Sequence, residues 1–119
     1  MPKDDGIRIR HMLDAAQEVI SFSRGHMRAD LDGNRLLTLG LLKGIEIIGE
    51  AASRVTSATQ DRYPQIPWSD IVGMRNRVVH VYFDIDLDQV WETVTKDVPP
   101  LIEELKRIVP AERDQTDHS

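Results

Sequence analysis

The 119-residue sequence contains no cysteine. Disulfides, thiolate nucleophiles and cysteine-based structural zinc sites are therefore excluded, and a reducing compartment is expected. Aromatic residues make up only 5% of the chain, too few for the stacked-base platforms of the common single-stranded RNA modules. No apolar run approaches the roughly 20 residues that a membrane span needs. The polar N-terminus MPKDDGIRIRH does not resemble a signal segment. We expect a cytoplasmic protein with no membrane contact.

The chain also has fewer positive than negative side chains. It contains 15 Lys and Arg and 20 Asp and Glu, which gives a formal net charge of -5. An acidic chain disfavours non-specific attraction to nucleic acid, so any such contact must come from a local basic site. Arg24, His26 and Arg28 form one small basic patch, which is either a solvated turn or a contact for RNA or a partner. The length and the balance of 40% hydrophobic with 29% charged residues predict one globular domain over residues 1–119.

Apolar residues recur at spacings of three and four, which predicts an all-α fold with four helices. The first helix covers residues 7–22, and the second follows Asn34, a plausible N-cap, to about residue 55. The third begins at Pro67 or Trp68, and the fourth covers residues 87–109. No strand-like alternation is visible. The predicted architecture is a four-helix bundle.

The second helix is apolar around much of its circumference, so it must bury more than one face. Gly40 and Gly44 lower its helix propensity, which favours a close contact with another helix as compensation. We infer a homodimer interface on this helix. The alternative is that Leu36, Leu39 and Leu42 are simply exposed near the helix start.

The last third of the chain contains two further features. Asp84, Asp86 and Asp88 alternate like metal ligands, but the sequence lacks the glycine and terminal glutamate of a calcium loop, so helix capping by Asp86 is favoured. Pro99 and Pro100 lie inside the fourth helix and predict a kink or a restart. Residues 111–119 are expected to form a polar tail. No metal site and no cofactor-binding motif is predicted.

The segment from Arg75 to Tyr82 carries the densest cluster of chemically capable side chains. Arg75 shares a helical stripe with apolar residues. Because a charged arginine is rarely buried without a partner, it should face a carboxylate, a bound phosphate or an open cleft. Pairing with Glu46 or Glu50 is the structural alternative. Arg75 and His80 lie about 140° apart on an ideal helix. Either the helix distorts near His80, or side chains from two subunits converge.

These residues resemble the HepT-like toxins of the HEPN superfamily, whose hallmark is Arg, a polar residue, three variable positions and His. Arg75, Asn76 and His80 match it, and Tyr82 matches the extension Arg-x-x-x-x-His-x-Tyr of the HepT branch. The flanking sequence also resembles that family, in the segments GIEIIGEAA at 44–52, PW at 67–68 and VWETVT at 90–95. The resemblance covers roughly residues 7–108.

The resemblance implies an antiparallel, up-and-down HEPN-type four-helix bundle that forms a homodimer and acts as a metal-independent endoribonuclease. It would be the toxin of a type VII HEPN/MNT toxin-antitoxin system, with RNA as substrate. Its antitoxin would be an MntA-type nucleotidyltransferase that attaches AMP from ATP to Tyr82.

Under this resemblance His80 is the candidate general base or acid and Arg75 the candidate phosphate ligand in catalysis. Asn76 would orient His80 or donate to phosphate, and Arg77 would hold the substrate backbone. A second hypothesis from another class is a non-catalytic dimeric module that binds a nucleotide or serves as a scaffold for a nucleotidyltransferase. The intact set of motif residues favours the ribonuclease.

Overall fold

The computed structural model describes the backbone of residues 1–81 and 84–116 and the side chains of residues 1–80 and 84–109. Helices dominate these residues, as the sequence predicts. The elements in chain order are α1 (Lys3–Ser23), α2 (Asp30–Gly33), α3 (Arg35–Ser53), α4 (Ser57–Arg62), α5 (Trp68–Val72), α6 (Met74–Val78), β1 (Val79–Val81), β2 (Asp84–Ile85), α7 (Leu87–Glu92), a π-helical segment (Thr93–Asp97) and α8 (Val98–Thr116). The last helix passes residue 111, where the sequence suggested that a polar tail begins.

The close contact expected at the glycines of the second helix is an intramolecular one between α1 and α3. A Cβ atom at Gly44 would overlap the side chain of Val19, and one at Gly40 would meet Phe22 at 3.5 Å. Late residues of α1 thus face early residues of α3, so the two helices are antiparallel. The predicted N-cap of α3 is confirmed, because Asn34 Oδ1 accepts a hydrogen bond of 3.0 Å from the backbone N–H of Leu37.

The core lies between α1, α3 and α8, with α5 and α6 packed on α3. Large side chains that are almost completely buried come from α1, α3, α6 and α8, among them Ile9, Met12, Leu41, Ile45, Ile48, Met74 and Leu105. Each such side chain stabilises the fold by roughly 1.5–3 kcal/mol relative to exposure. None of the helices in the described part of the chain combines the length and apolarity required to cross a membrane.

The two prolines of the fourth predicted helix are accommodated by the π-helical turn that precedes them. Proline has no N–H to donate and its ring collides with the carbonyl four residues earlier, which is at Thr95 for Pro99 and at Lys96 for Pro100. Widening the helix over Thr93–Asp97 shifts those carbonyls out of register. The helical irregularity predicted there is confirmed.

The third predicted helix differs from expectation. It is divided at Gly73 into α5 and α6, and it ends at Val78, after which β1 pairs antiparallel with β2. The β-branched residues Val78, Val79 and Val81 favour extended backbone, but strands of three and two residues are too short for alternation to be visible. Val72, one of the apolar residues on the helical stripe that Arg75 shares, is exposed and not buried.

A buried carboxylate fastens the start of α1 to the start of α4. Asp5 is only 1% exposed. Its Oδ1 accepts from the backbone N–H of Thr56 at 3.1 Å, and its Oδ2 accepts from the hydroxyls of Thr56 at 2.5 Å and Thr59 at 2.6 Å. Burial raises the pKa of Asp5, but these hydrogen bonds and the nearby charge of Arg8 outweigh burial and hold that pKa below its ordinary 3.8.

Asp5→Asn is expected to lower the free energy of unfolding by roughly 2 kcal/mol at neutral pH, in the range for hydrogen bonds to charged groups. Because the folded pKa is depressed, this stabilisation is complete above the unfolded pKa near 3.9 and is lost as pH falls through the folded pKa. Urea denaturation at pH 7 and at pH 3 measures it, with the exposed Asp4→Asn as control. A difference between wild type and Asp5→Asn that is equal at both pH values would contradict this role.

Candidate functional site

The motif residues occupy two different elements. Arg75, Asn76 and Arg77 lie on α6, whereas His80 lies in β1, beyond the helix end at Val78. The structure therefore adopts the first of the two geometries considered from the sequence, in which the helix is interrupted before His80. The ideal-helix separation of 140° no longer applies.

Arg75 is paired with Glu46 of α3. Arg75 Nε lies 3.4 Å from Glu46 Oε1, and the two side chains are 49% and 37% exposed. Glu50, the other candidate partner, instead pairs with Arg54 at 2.9 Å. Ion pairs this exposed contribute at most about 1 kcal/mol. Glu46 therefore positions Arg75 but can be replaced by another anion at little cost. Arg75 remains exposed to solvent and able to bind an anion.

His80 is paired with Asp86, which follows strand β2. His80 Nε2 lies 3.2 Å from Asp86 Oδ2, while Asp86 Oδ1 accepts from the backbone N–H of Gln89 at 3.1 Å. The capping role predicted for Asp86 is thereby confirmed. The contact of Asp86 Oδ2 with His80 was not predicted from the sequence, because the hairpin that brings the two residues together was not predicted.

The cap makes Asp86 a fixed carboxylate, because its position is set by the first turn of α7. A carboxylate at one imidazole nitrogen fixes the orientation of the ring. The pairing occupies Nε2 and leaves Nδ1 of His80 for another partner. His80 is more than half exposed, so a substrate can reach it.

A groove of about 730 Å³ lies beside the motif, between α1, α3, α5 and α6. Arg75 and Asn76 form part of its wall, together with Arg8 and His11 of α1. Sequence reasoning did not single out either α1 residue. The only available signal was their spacing of three, which places both on one helix face.

Arg77 faces a different part of the surface from Arg75. It lines a smaller pocket of about 230 Å³ near the π-helical segment, and its guanidinium lies 3.6 Å from Asp97. His80 is not part of the lining of either cavity. Among the residues with described side chains, no hydrogen bond or ion pair joins Arg75 to His80.

The basic patch after α1 is largely neutralised by acidic neighbours. His26 Nδ1 lies 3.1 Å from Asp30, and Arg28 contacts Asp32 at 3.0 Å and Asp88 at 2.6 Å. The hydrogen bonds from Arg28 to Asp32 and Asp88 raise the pKa of Arg28, and the bond to Asp32 has the larger effect. The solvated-turn interpretation therefore fits better than a nucleic-acid contact.

Two further sequence predictions concern metals and Tyr82. Within the part of the chain that the structure describes, no group of three His, Asp or Glu side chains is arranged to hold a metal ion. Tyr82, the predicted AMPylation site, lies outside the described residues.

Comparison with known proteins gives consistent results. The family model of the HepT-like ribonucleases matches residues 12–108. A protein of Methanocaldococcus jannaschii named "Putative RNase MJ1380" is 32% identical over 95 residues, covering 80% of this chain and 87% of that protein. "Putative RNase TTE0752" of Caldanaerobacter subterraneus is 30% identical over 105 residues, 88% of this chain and 94% of its own. "Probable ribonuclease HepT" of Thermococcus cleftensis is 28% identical over 93 residues, 78% and 84% of the two chains. No solved structure matches the chain.

Proposed function

Because the chain belongs to the HepT-like ribonuclease family, we propose that it is a metal-independent endoribonuclease and the toxin of a type VII toxin-antitoxin pair. The observation that supports this most is the pair of exposed motif side chains with fixed partners, Arg75 on Glu46 and His80 on Asp86. Both partners hold the side chain in place and leave it accessible. An arginine fork and an oriented imidazole are suited to phosphoryl transfer on RNA.

The proposed reaction uses the ribose 2′-hydroxyl as nucleophile. His80 accepts the proton of that hydroxyl, the 2′-oxygen bonds to phosphorus, and the bond to the 5′-oxygen breaks. The departing 5′-oxygen takes a proton from an imidazolium, so the products carry a 2′,3′-cyclic phosphate and a 5′-hydroxyl. Arg75 stabilises the charge that builds on the phosphoryl oxygens, Asn76 donates a further hydrogen bond, and Arg77 holds the RNA backbone outside the reacting centre.

His80→Ala and Arg75→Ala are each expected to lower the rate of RNA cleavage by roughly 10²- to 10⁴-fold, typical for loss of an acid-base or charge-stabilising group. Unfolding by urea should change by less than about 1 kcal/mol, because both side chains are half exposed and weakly paired. Arg62→Ala, an exposed arginine on α4, is the matched control.

The cleavage assay should include EDTA and identify the product ends by mass spectrometry. EDTA should have no effect. Loss of activity in EDTA with recovery in magnesium, contaminating nucleases excluded, would contradict the mechanism. A wild-type protein that binds RNA without cutting it would favour the non-catalytic module.

We further propose that the enzyme is a homodimer whose interface uses the outer face of α3 near its start. Leu36 is 83% exposed, and Leu39 and Phe22 are also exposed. Exposed apolar side chains of this size cost free energy in water and favour association. A second copy of the chain would bring another motif toward the same cleft, so that one His80 accepts a proton while the other donates one.

Replacing Leu36 and Leu39 together by Glu is expected to convert the dimer to a monomer, since two charges would be buried in the apolar contact. Light scattering at micromolar concentration should give twice 13.6 kDa for wild type and the single value for the variant. Met27→Glu, at an exposed residue outside α3, should remain dimeric. A monomeric wild-type protein would disprove the interface.

The antitoxin in this proposal is a nucleotidyltransferase that adds AMP to Tyr82. Each phosphodiester would add negative charge and bulk two residues from His80, which would repel the RNA phosphate. Wild type incubated with the cognate nucleotidyltransferase and ATP should gain AMP mass on the peptide that carries Tyr82. Tyr82→Phe should stay toxic and escape modification. AMP found on another residue, or silencing of Tyr82→Phe by AMP transfer, would show the assignment to be wrong.

A further inference from the structure

The groove beside Arg75 is positively charged although the protein as a whole is acidic. Four permanent cations line it, Arg8, Lys43, Arg54 and Arg75, against two carboxylates, Glu46 and Glu50. The chain carries a formal net charge of -5. A concentration of positive charge in one concave part of an acidic surface indicates an anionic ligand.

The two carboxylates of the groove pair with Lys43, Arg75 and Arg54, which leaves Arg8 of α1 without a carboxylate there. Glu46 lies within 4.0 Å of both Lys43 and Arg75, and Glu50 is bonded to Arg54. Among the described residues, neither Arg8 nor His11 takes part in a hydrogen bond or ion pair. Both project from the same face of α1 into the groove. They are the basic side chains of the groove for which the described residues supply no partner.

A second observation concerns the Nε atom of Arg8. This atom is buried, and no residue with a described side chain accepts a hydrogen bond from it. Asp5, one turn earlier, is close enough for the charge of Arg8 to lower its pKa, but both Asp5 oxygens already accept from Thr56 and Thr59. A buried donor on a charged group is costly to leave unpaired, and an anion in the groove would reduce that cost.

From these observations we propose that Arg8 and His11 form a phosphate-binding subsite for single-stranded RNA, on the wall of the groove opposite α6. The inference rests on the proposed ribonuclease function. Arg75 and Asn76 hold the reacting phosphate, and the RNA backbone continues across the groove so that a neighbouring phosphate lies on α1. Arg8 and His11 touch no reacting atom in this arrangement. They anchor the substrate.

The test measures binding of a fluorescent, single-stranded 2′-O-methyl oligonucleotide, which has no free 2′-hydroxyl and cannot be cut. Dissociation constants are measured by anisotropy over a range of salt concentrations for wild type, Arg8→Gln and His11→Gln. Arg10→Gln is the matched control, an arginine on α1 outside the groove lining. Cleavage of the unmodified RNA is measured in parallel.

Loss of one phosphate contact on a single strand lowers the slope of log affinity against log salt by about 0.7. We expect that change for Arg8→Gln, with weaker binding to every sequence tried, and no change for Arg10→Gln. His11→Gln should likewise weaken binding to every sequence tried, because it removes a side chain that contacts the phosphate. His11 is exposed, so this variant serves if Arg8→Gln does not fold.

Three outcomes would overturn the subsite. If wild type binds and cuts RNA while Arg8→Gln and His11→Gln behave as Arg10→Gln does, the proposed function stands and the subsite is wrong. If the two variants change the molar mass in light scattering and not the salt slope, the groove is a protein interface. If wild type neither binds nor cuts RNA, the proposed function fails together with the subsite.

Discussion

Gly44 has no side chain, and for that reason α1 can lie against α3 where the side chain of Val19 would otherwise collide. The rest of the molecule is arranged around this close, antiparallel contact. It aligns the apolar stripes of both helices into one core with α8, and it sets the start of α1 beside the end of α3. The hydrogen bonds that Asp5 accepts from Thr56 and Thr59 then hold the start of α1 to the segment that follows α3. One wall of the groove is a consequence of this packing.

Much of the fold could be predicted from the sequence because helical periodicity is a strong signal over long segments. The extents of α1 and α3, the cap at Asn34 and the irregularity before Pro99 all follow from local chemistry. The short elements could not be predicted. A hairpin of five strand residues has too few positions for a period of two, and the tertiary contacts of Asp86 decide its geometry.

The residues of the candidate site also fall into those that could be selected from the sequence and those that could not. Arg75, Asn76 and His80 could be selected from sequence because charged and polar groups interrupt an apolar segment there. Their partners could not be selected, because Glu46 is on another helix and Asp86 lies beyond a turn. Arg8 gave no signal for a related reason. Its significance lies in a buried nitrogen for which the described side chains offer no acceptor, and this is a property of the packed structure and not of the residue type.

In the proposed mechanism, the ion pairs around the motif allow a site in an acidic protein to bind a polyanion. An exposed pair such as Arg75 with Glu46 contributes at most about 1 kcal/mol, so exchanging Glu46 for a phosphate would cost little. A bidentate arginine-phosphate contact is stronger than this exposed, monodentate pair. Under the proposal, Glu46 therefore positions Arg75 without competing effectively with RNA. Asp86 differs, because its Oδ1 also caps α7 and its carboxylate is thereby held beside His80. The proposal thus gives the arginine a partner that can be exchanged and the histidine a partner that is fixed, which is the division of roles that phosphoryl transfer requires of a ligand and a proton carrier.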